Sequence, residues 1–204
     1  MNTYERNIPH EQQKKSMPSW KVFAVIIAVI GVIAMSVNGA RNGLVTRDEA
    51  VNEHWSQINT QLQRRADLIP NIVNTVKGYA GHEASIFMEV ANARSRLLAA
   101  KSPVEAADAS AEVSSSLGRL LAVAENYPDL KANENFIRLQ DEISGTENRI
   151  ATARTRYNAA VRDFNGAIRR FPGSYFASGL GLSAREYYEP KNLGSMQEPP
   201  KVEF

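Results

Sequence analysis

The chain contains no cysteine and only three histidines in its 204 residues. The absence of thiols excludes disulfide bonds, thiolate catalysis and zinc sites built from cysteine. His82-Glu83 begins like the helix of a zinc protease, but Ile86 stands where such a helix carries its second histidine. We therefore expect no bound metal and no cofactor.

An excess of charge of one sign is also missing. The 24 Lys and Arg residues and the 22 Asp and Glu residues give a net charge of +2 with histidine neutral, and both signs are interspersed along the chain. Because nucleic-acid binding uses a concentrated basic surface, we exclude nucleic acid as a main partner.

Side chains arranged for catalysis are missing as well. The serines at 114–116 have no histidine and acid at a spacing typical of a catalytic triad. The sequence Gly179-Leu180-Gly181 lacks the lysine that follows in a phosphate-binding loop. These absences favour a protein that is not an enzyme.

One long uncharged run is present near the start of the chain. Residues 22–37 carry no charge, and the apolar stretch over 20–40 makes about 21 residues, or roughly 31 Å of helix, which matches a bilayer core. Trp20 and Lys21 stand where an interfacial ring and a cation are favoured. We predict a transmembrane anchor over 20–40 that follows a polar leader over 1–19.

The charges around this run predict its orientation. More basic residues precede the run than follow it closely, so we expect the N-terminus in the cytoplasm and the rest of the chain outside it. The alternative is a signal peptide cleaved among the small residues at 34–39, but the length of the run and of the polar leader favours a retained anchor. The basic residues counted are Arg6, Lys14, Lys15 and Lys21 before the apolar run, and Arg41 and Arg47 after it.

A heptad repeat typical of a coiled coil begins at Leu44 and predicts one long helix over roughly 42–79. The repeat keeps its phase across Pro70, which predicts a kink there, and only Asp48 and Arg65 interrupt it. Its apolar positions are Leu44, Val51, Trp55, Ile58, Leu62, Ile69, Ile72, Val76 and Tyr79.

Three more helices are predicted. The second covers about 83–100, and the third begins at a capping box in which Ser102 precedes Pro103 and Glu105. The fourth covers roughly 131–171, with large residues on one heptad position and mostly alanine on the other. An aromatic tail to Tyr188 follows, either contacting lipid headgroups or capping the bundle core, and 190–204 is expected to be a flexible end.

These elements predict an all-α fold, with an N-terminal transmembrane helix followed by an elongated antiparallel up-and-down four-helix bundle over 41–189. The first and last bundle helices should be antiparallel neighbours, large side chains against small ones. That register places Trp55 against Ala160 and Arg65 near Glu147.

The charges next to Pro70 are the strongest candidates for a site. A kink frees backbone carbonyls, and Arg65 and Asp67 could satisfy them or pair across the bundle. The structural interpretation is that they fix helix register. The functional one is that they form a polar groove for a partner helix or peptide.

The sequence resembles the LemA family, which are bacterial single-span membrane proteins, over nearly the whole chain. The resemblance implies a helical bundle at the cytoplasmic membrane of a bacterium, periplasmic in a Gram-negative cell, and implies no activity. It adds Tyr157 and Asn158 to the candidate residues. The stretches that carry it are 62–73, 76–80, His82-Glu83, 125–131, Thr146-Glu147, Ala153-Arg154, Tyr157-Asn158, Phe164-Asn165 and Phe171-Pro172.

We therefore expect a non-enzymatic, membrane-anchored scaffold or adaptor that contacts lipid through one helix and presents its bundle to a membrane or envelope protein. The alternative is an envelope binding protein that holds a lipid or peptide in the bundle or the kink groove. The candidate structural or interaction residues are Trp55, Arg65, Asp67, Pro70, Glu147, Tyr157 and Asn158.

Overall fold

A computed structural model of the protein describes residues 19–191. The polar leader predicted over 1–19 and the flexible end predicted over 190–204 therefore lie almost entirely outside the described residues. Contacts divide the chain after Ala40 into two units.

Within the described range the chain is all-α and has no strand, as predicted. The first helix runs without a break through the predicted anchor and the predicted first bundle helix, because no proline stands between them. Two short helices, α4 and α6, were not predicted. The six helices are α1 Ser19–Lys77, α2 Ala84–Ala99, α3 Pro103–Ala124, α4 Pro128–Lys131, α5 Glu134–Arg169 and α6 Gly173–Gly179.

The first unit contains the apolar part of α1. Its large side chains are exposed, for example Ile27 at 69% and Met35 at 77%. Among the described residues, α1 is the one helix long and apolar enough to cross a membrane. Water disfavours such a surface and a bilayer favours it, which fits association of the chain with a membrane.

In the second unit, α1 and α5 are antiparallel neighbours. The rings of Trp55 and Tyr157 lie 5.6 Å apart, and the Arg65 guanidinium lies 2.8 Å from the Glu147 carboxylate. Trp55 and Arg65 are as far apart in sequence as Tyr157 and Glu147. The residue number rises from Trp55 to Arg65 in α1 and falls from Tyr157 to Glu147 in α5, so the two helices run in opposite directions. This arrangement confirms the predicted pairing of the two helices.

The helices α2 and α3 complete the four-helix bundle. They are antiparallel as well, since Arg119 of α3 forms an ion pair with Glu89, and Arg96 of α2 binds Glu112 at 2.9 Å. A continuous apolar core joins all four helices. Up-and-down topology follows from the short connections between them.

The predicted register needs one correction. The aromatic ring that Trp55 meets is Tyr157, one helical turn before the expected Ala160. The last residues of the predicted first and fourth bundle helices are also exposed. Tyr79 follows the end of α1 and accepts a hydrogen bond from Asn133, and Phe171 follows the end of α5 and is 87% exposed. Both lie beyond a helix end, where the heptad no longer determines which side is buried.

Candidate functional site at the bundle centre

Arg65 is the largest fully buried side chain among the described residues, with 1% of its surface exposed. Its Nη2 atom donates to Glu147 Oε2 at 2.8 Å and to Ser114 Oγ at 3.1 Å. The Ser114 hydroxyl lies 3.0 Å from the other Glu147 oxygen. One cation from α1 is therefore held by a carboxylate from α5 and a hydroxyl from α3.

Burial dominates the electrostatics of this centre. It lowers the pKa of the Arg65 guanidinium, and the Glu147 carboxylate opposes that effect by favouring the charged form. The two side chains of the pair differ in exposure, since Arg65 is 2% exposed and Glu147 is 54% exposed. Because the Glu147 side chain stays half-exposed and Arg65 is fully buried, most of the desolvation cost falls on Arg65.

Pro70 lies inside α1 and has no amide hydrogen, so the Ala66 carbonyl lacks its usual helical donor. Arg94 of α2 donates from Nε to that carbonyl at 2.7 Å. A side chain therefore satisfies the carbonyl that the proline frees, and the same hydrogen bond fixes α2 against α1.

The rings of Trp55, Tyr157 and Tyr188 form an aromatic cluster near Arg65. The Trp55 ring is 5.6 Å from Tyr157 and 6.4 Å from Tyr188, and Tyr188 is 4% exposed. Burial raises the pKa of the Tyr157 phenol to about 12, and it also raises the pKa of the Tyr188 phenol. Tyr188 therefore caps the core, and the predicted contact of Tyr188 with lipid headgroups is wrong.

The segment from Arg185 to Lys191, here called the tail segment, lies against the bundle. Asn158 of α5 donates to the Tyr188 carbonyl at 3.4 Å and accepts from its amide at 2.9 Å. The Tyr157 hydroxyl donates to the Glu186 carbonyl at 2.8 Å. Both residues that the family resemblance added therefore hold the tail segment.

A pocket of about 310 Å³ opens where the tail segment crosses the bundle centre. Arg65, Ser114 and Glu147 line one side, and Tyr188 and Pro190 line the other. The Arg65 Nε atom is buried and has no hydrogen-bond partner within the described residues.

The structure brings together five of the seven candidate residues. Trp55, Arg65, Glu147, Tyr157 and Asn158 form the bundle centre described above.

Pro70 acts separately through Arg94. Asp67 is exposed and accepts from Gln63 on its own helix at 2.9 Å, so it does not join Arg65. No group of three or more possible metal-ligating side chains occurs in the part of the chain that the structure describes.

The sequence pattern did not identify several residues that make contacts at this site. Asp48, the other charge that interrupts the α1 heptad, binds Arg185 of the tail segment at 2.8 Å. The interruption was a usable signal, because a charge on an apolar heptad position needs a partner. Nothing in the sequence pattern pointed to Arg94 or Arg185 as those partners.

Comparison with known proteins gives one family and several relatives. A sequence model described as the LemA family matches residues 54–204. Magnetosome protein MamQ 2 of Paramagnetospirillum magneticum is 27% identical over 198 residues, which covers 83% of this chain and 73% of that protein. Protein LemA of Metamycoplasma hominis is 28% identical over 153 residues, which covers 71% of this chain and 68% of that protein.

Proposed function

Since the chain belongs to the LemA family, we propose that it is a non-enzymatic scaffold or adaptor, held at the cytoplasmic membrane of a bacterium by one helix. Its bundle binds membrane or envelope proteins. The observation that carries this proposal is a set of exposed apolar side chains that gather at one end of the bundle.

That end is formed by the C-terminal end of α1 and the N-terminal ends of α2 and α5. Tyr79, Met88 and Ile137 are each more than 40% exposed there. An open groove of about 450 Å³ lies beside Met88, and the buried Phe87 lines it. Exposed methionine and aromatic side chains are common at surfaces that bind other proteins.

The span supports the other half of the proposal. The basic residues before the apolar run favour a cytoplasmic N-terminus, and on this ground we propose a bundle outside the cytoplasm, in the periplasm of a Gram-negative cell. N-terminal sequencing of membrane-extracted protein tests the anchor. A mature start near residue 37 or 40 would show a cleaved signal peptide instead.

In-cell photo-crosslinking tests the adaptor. A photoreactive residue replaces Met88 or Ile137, and the control replaces Asp163, which is exposed near the other end of α5. We expect discrete protein adducts from the first two positions and none from the control. Adduct patterns that are the same at all three positions would argue against a defined partner at this end.

A small-ligand binding protein is the second candidate. The 310 Å³ pocket favours it, because pockets of this size can hold a small ligand. Native mass spectrometry of gently purified protein separates the two proposals. A bound molecule at one-to-one stoichiometry, lost on replacing Arg65 with Met, would support the binding protein.

A further inference from the structure

Two asparagines of α5 hold the backbone of the tail segment in the same way. Asn165 donates to the Arg185 carbonyl at 2.9 Å and accepts from the Arg185 amide at 2.8 Å. Asn158 makes the same pair of hydrogen bonds with Tyr188. Each asparagine therefore satisfies one donor and one acceptor of a bound backbone, as a neighbouring β-strand would.

The spacing of the two asparagines fits an extended chain. Asn158 and Asn165 are two helical turns apart on one face of α5, which is about 10 Å. Arg185 and Tyr188 are three residues apart, and three extended residues also cover about 10 Å. The helix therefore presents amide groups at a repeat that an extended peptide can follow.

Two side chains of the tail segment are bound in sites of different chemistry. The Arg185 guanidinium contacts both Asp48 oxygens, at 2.8 Å and 3.1 Å, and Asn52 Oδ1 at 3.4 Å. The Tyr188 ring is buried beside Trp55, and its hydroxyl lies 3.4 Å from the Ala106 carbonyl. The side chains between them, Glu186 and Tyr187, are exposed.

We infer that the groove formed by α1, α3 and α5 around these contacts, here called the tail groove, is a peptide-binding site. Its ligand is an extended segment of a partner protein, with arginine at one position and tyrosine three residues later. In this structure the chain's own tail segment occupies it. The inference rests on the proposed adaptor function and names the chemistry of one partner.

The contacts of the chain's own tail segment indicate which features a separate peptide would need. The paired asparagine contacts involve backbone only, so any extended segment can make them, while Asp48 and the Trp55 site select arginine and tyrosine. The tail segment is tethered and has an effective concentration in the millimolar range, so a competitor must also be concentrated locally. A partner held in the same membrane meets that condition.

Peptide binding to the full chain in phospholipid nanodiscs tests the inference. The double substitution Arg185→Ala and Tyr188→Ala weakens the binding of the chain's own tail segment to the bundle. This leaves the tail groove open. A labelled peptide with the sequence of residues 183–191 should bind this opened variant at least tenfold more tightly than it binds the wild type. Adding Asn158→Ala or Asn165→Ala should reduce peptide affinity about tenfold, since each removes two hydrogen bonds.

Matched controls separate recognition from general loosening. Asn148→Ala, at an exposed asparagine of the same helix, should leave peptide affinity unchanged. A peptide with the exposed Glu186 replaced by Ala should bind normally, and one with Arg185 replaced by Ala should bind at least tenfold more weakly.

Three outcomes would overturn the inference. The first is an opened variant that keeps its helicity and melting temperature but binds no peptide. The second is equal binding of the normal and arginine-lacking peptides. The third is wild-type chains that exchange tail segments and form dimers, which would assign the tail groove to a second copy. Adducts from Met88 would still support the adaptor, so the two proposals fail separately.

Discussion

Arg65 and Asp48 are the two charges that interrupt the heptad of α1, and both form ion pairs across the bundle. Arg65 pairs with Glu147 of α5, and Asp48 pairs with Arg185 of the tail segment. A charge on an apolar heptad position is costly without a partner, so each fixes what must lie opposite it. At the scale of single residues, we propose that the Arg65 pair helps to fix the register of α1 against α5, and that the Asp48 pair helps to fix the position of the tail segment.

The Arg65 and Glu147 pair gives a first prediction. Glu147→Gln should lower the free energy of unfolding by about 1–3 kcal/mol, because it leaves a buried cation without its carboxylate. Adding Arg65→Met should restore most of the loss, since a buried methionine has no charge to desolvate and the glutamine side chain at the half-exposed position 147 can stay in contact with solvent. Urea denaturation followed by circular dichroism in detergent measures both changes. An unchanged free energy of unfolding in the Glu147→Gln variant would contradict this account of the centre.

The buried phenol of Tyr157 gives a second prediction, on alkaline pH. Its pKa of about 12 in the folded chain exceeds the usual value of about 10, so folding favours the neutral phenol. The stability that the neutral, buried phenol contributes to the fold is fully present below pH 10 and is lost as the pH rises through 12. Tyr157→Phe should therefore make stability fall less steeply over that range.

The control for this pH dependence is Tyr175→Phe, at a ring that is 76% exposed. In this variant the free energy of unfolding should fall with pH between 10 and 12 as steeply as in the wild type. Equal slopes for all three proteins would show that Tyr157 titrates as an exposed tyrosine does.

At the scale of helices, Pro70 and Arg94 form a coupled pair and give a third prediction. Arg94→Met should cost about 1.5–3 kcal/mol of stability, because it leaves the Ala66 carbonyl unpaired. In a Pro70→Ala background the new amide hydrogen can bind that carbonyl, so Arg94→Met should cost much less. A double-mutant cycle measures this coupling, and additive effects would exclude it.

The start of α6 gives a fourth prediction. A Cβ atom at Gly173 would lie 2.2 Å from the Ala167 carbonyl oxygen, so Gly173→Ala should lower stability by about 1–3 kcal/mol. At Gly166, inside α5, the same atom would meet open space, and Gly166→Ala should raise stability by about 0.5–1 kcal/mol. Thermal denaturation compares the two variants, and equal shifts would contradict the close approach at Gly173.

The helices could largely be predicted from the sequence because their signals are local. Heptad positions predicted the packing of α1 against α5, and Ser102 caps α3 by accepting from the Glu105 amide at 3.2 Å. The short helix α6 and the tail segment could not be predicted. Their placement depends on distant contacts, such as Arg185 with Asp48, which no periodic pattern encodes.

The candidate site was predictable to a similar degree. Arg65 and Glu147 came from the heptad and the register, because a buried charge requires a partner. Asn158 came from family resemblance alone. Its role in holding Tyr188 depends on a backbone that has no repeat, so residue patterns could not supply it. Asp67 lies near Pro70 in sequence but is exposed, and its partner is Gln63 of the same helix.

At the scale of the whole molecule, one chain joins an apolar helix to a closed bundle. Within the second unit, about 55 Å of helix separates Arg41 from Lys77, so the exposed apolar end of the bundle is far from the residue at which this unit begins. We propose that this length lets the bundle reach proteins outside the lipid surface. The proposal depends on a retained anchor and on a bundle outside the cytoplasm.

Cysteine labelling in intact cells tests that dependence most directly, because the natural chain has no cysteine. Ser115→Cys places a thiol at an exposed position of α3, and Ser16→Cys places one in the leader. With a maleimide that reaches the periplasm but not the cytoplasm, we predict labelling at 115 and none at 16 until lysis, with both proteins in the membrane fraction. Labelling at 16 but not at 115, or recovery of the chain in the soluble fraction, would contradict the proposed anchor and orientation.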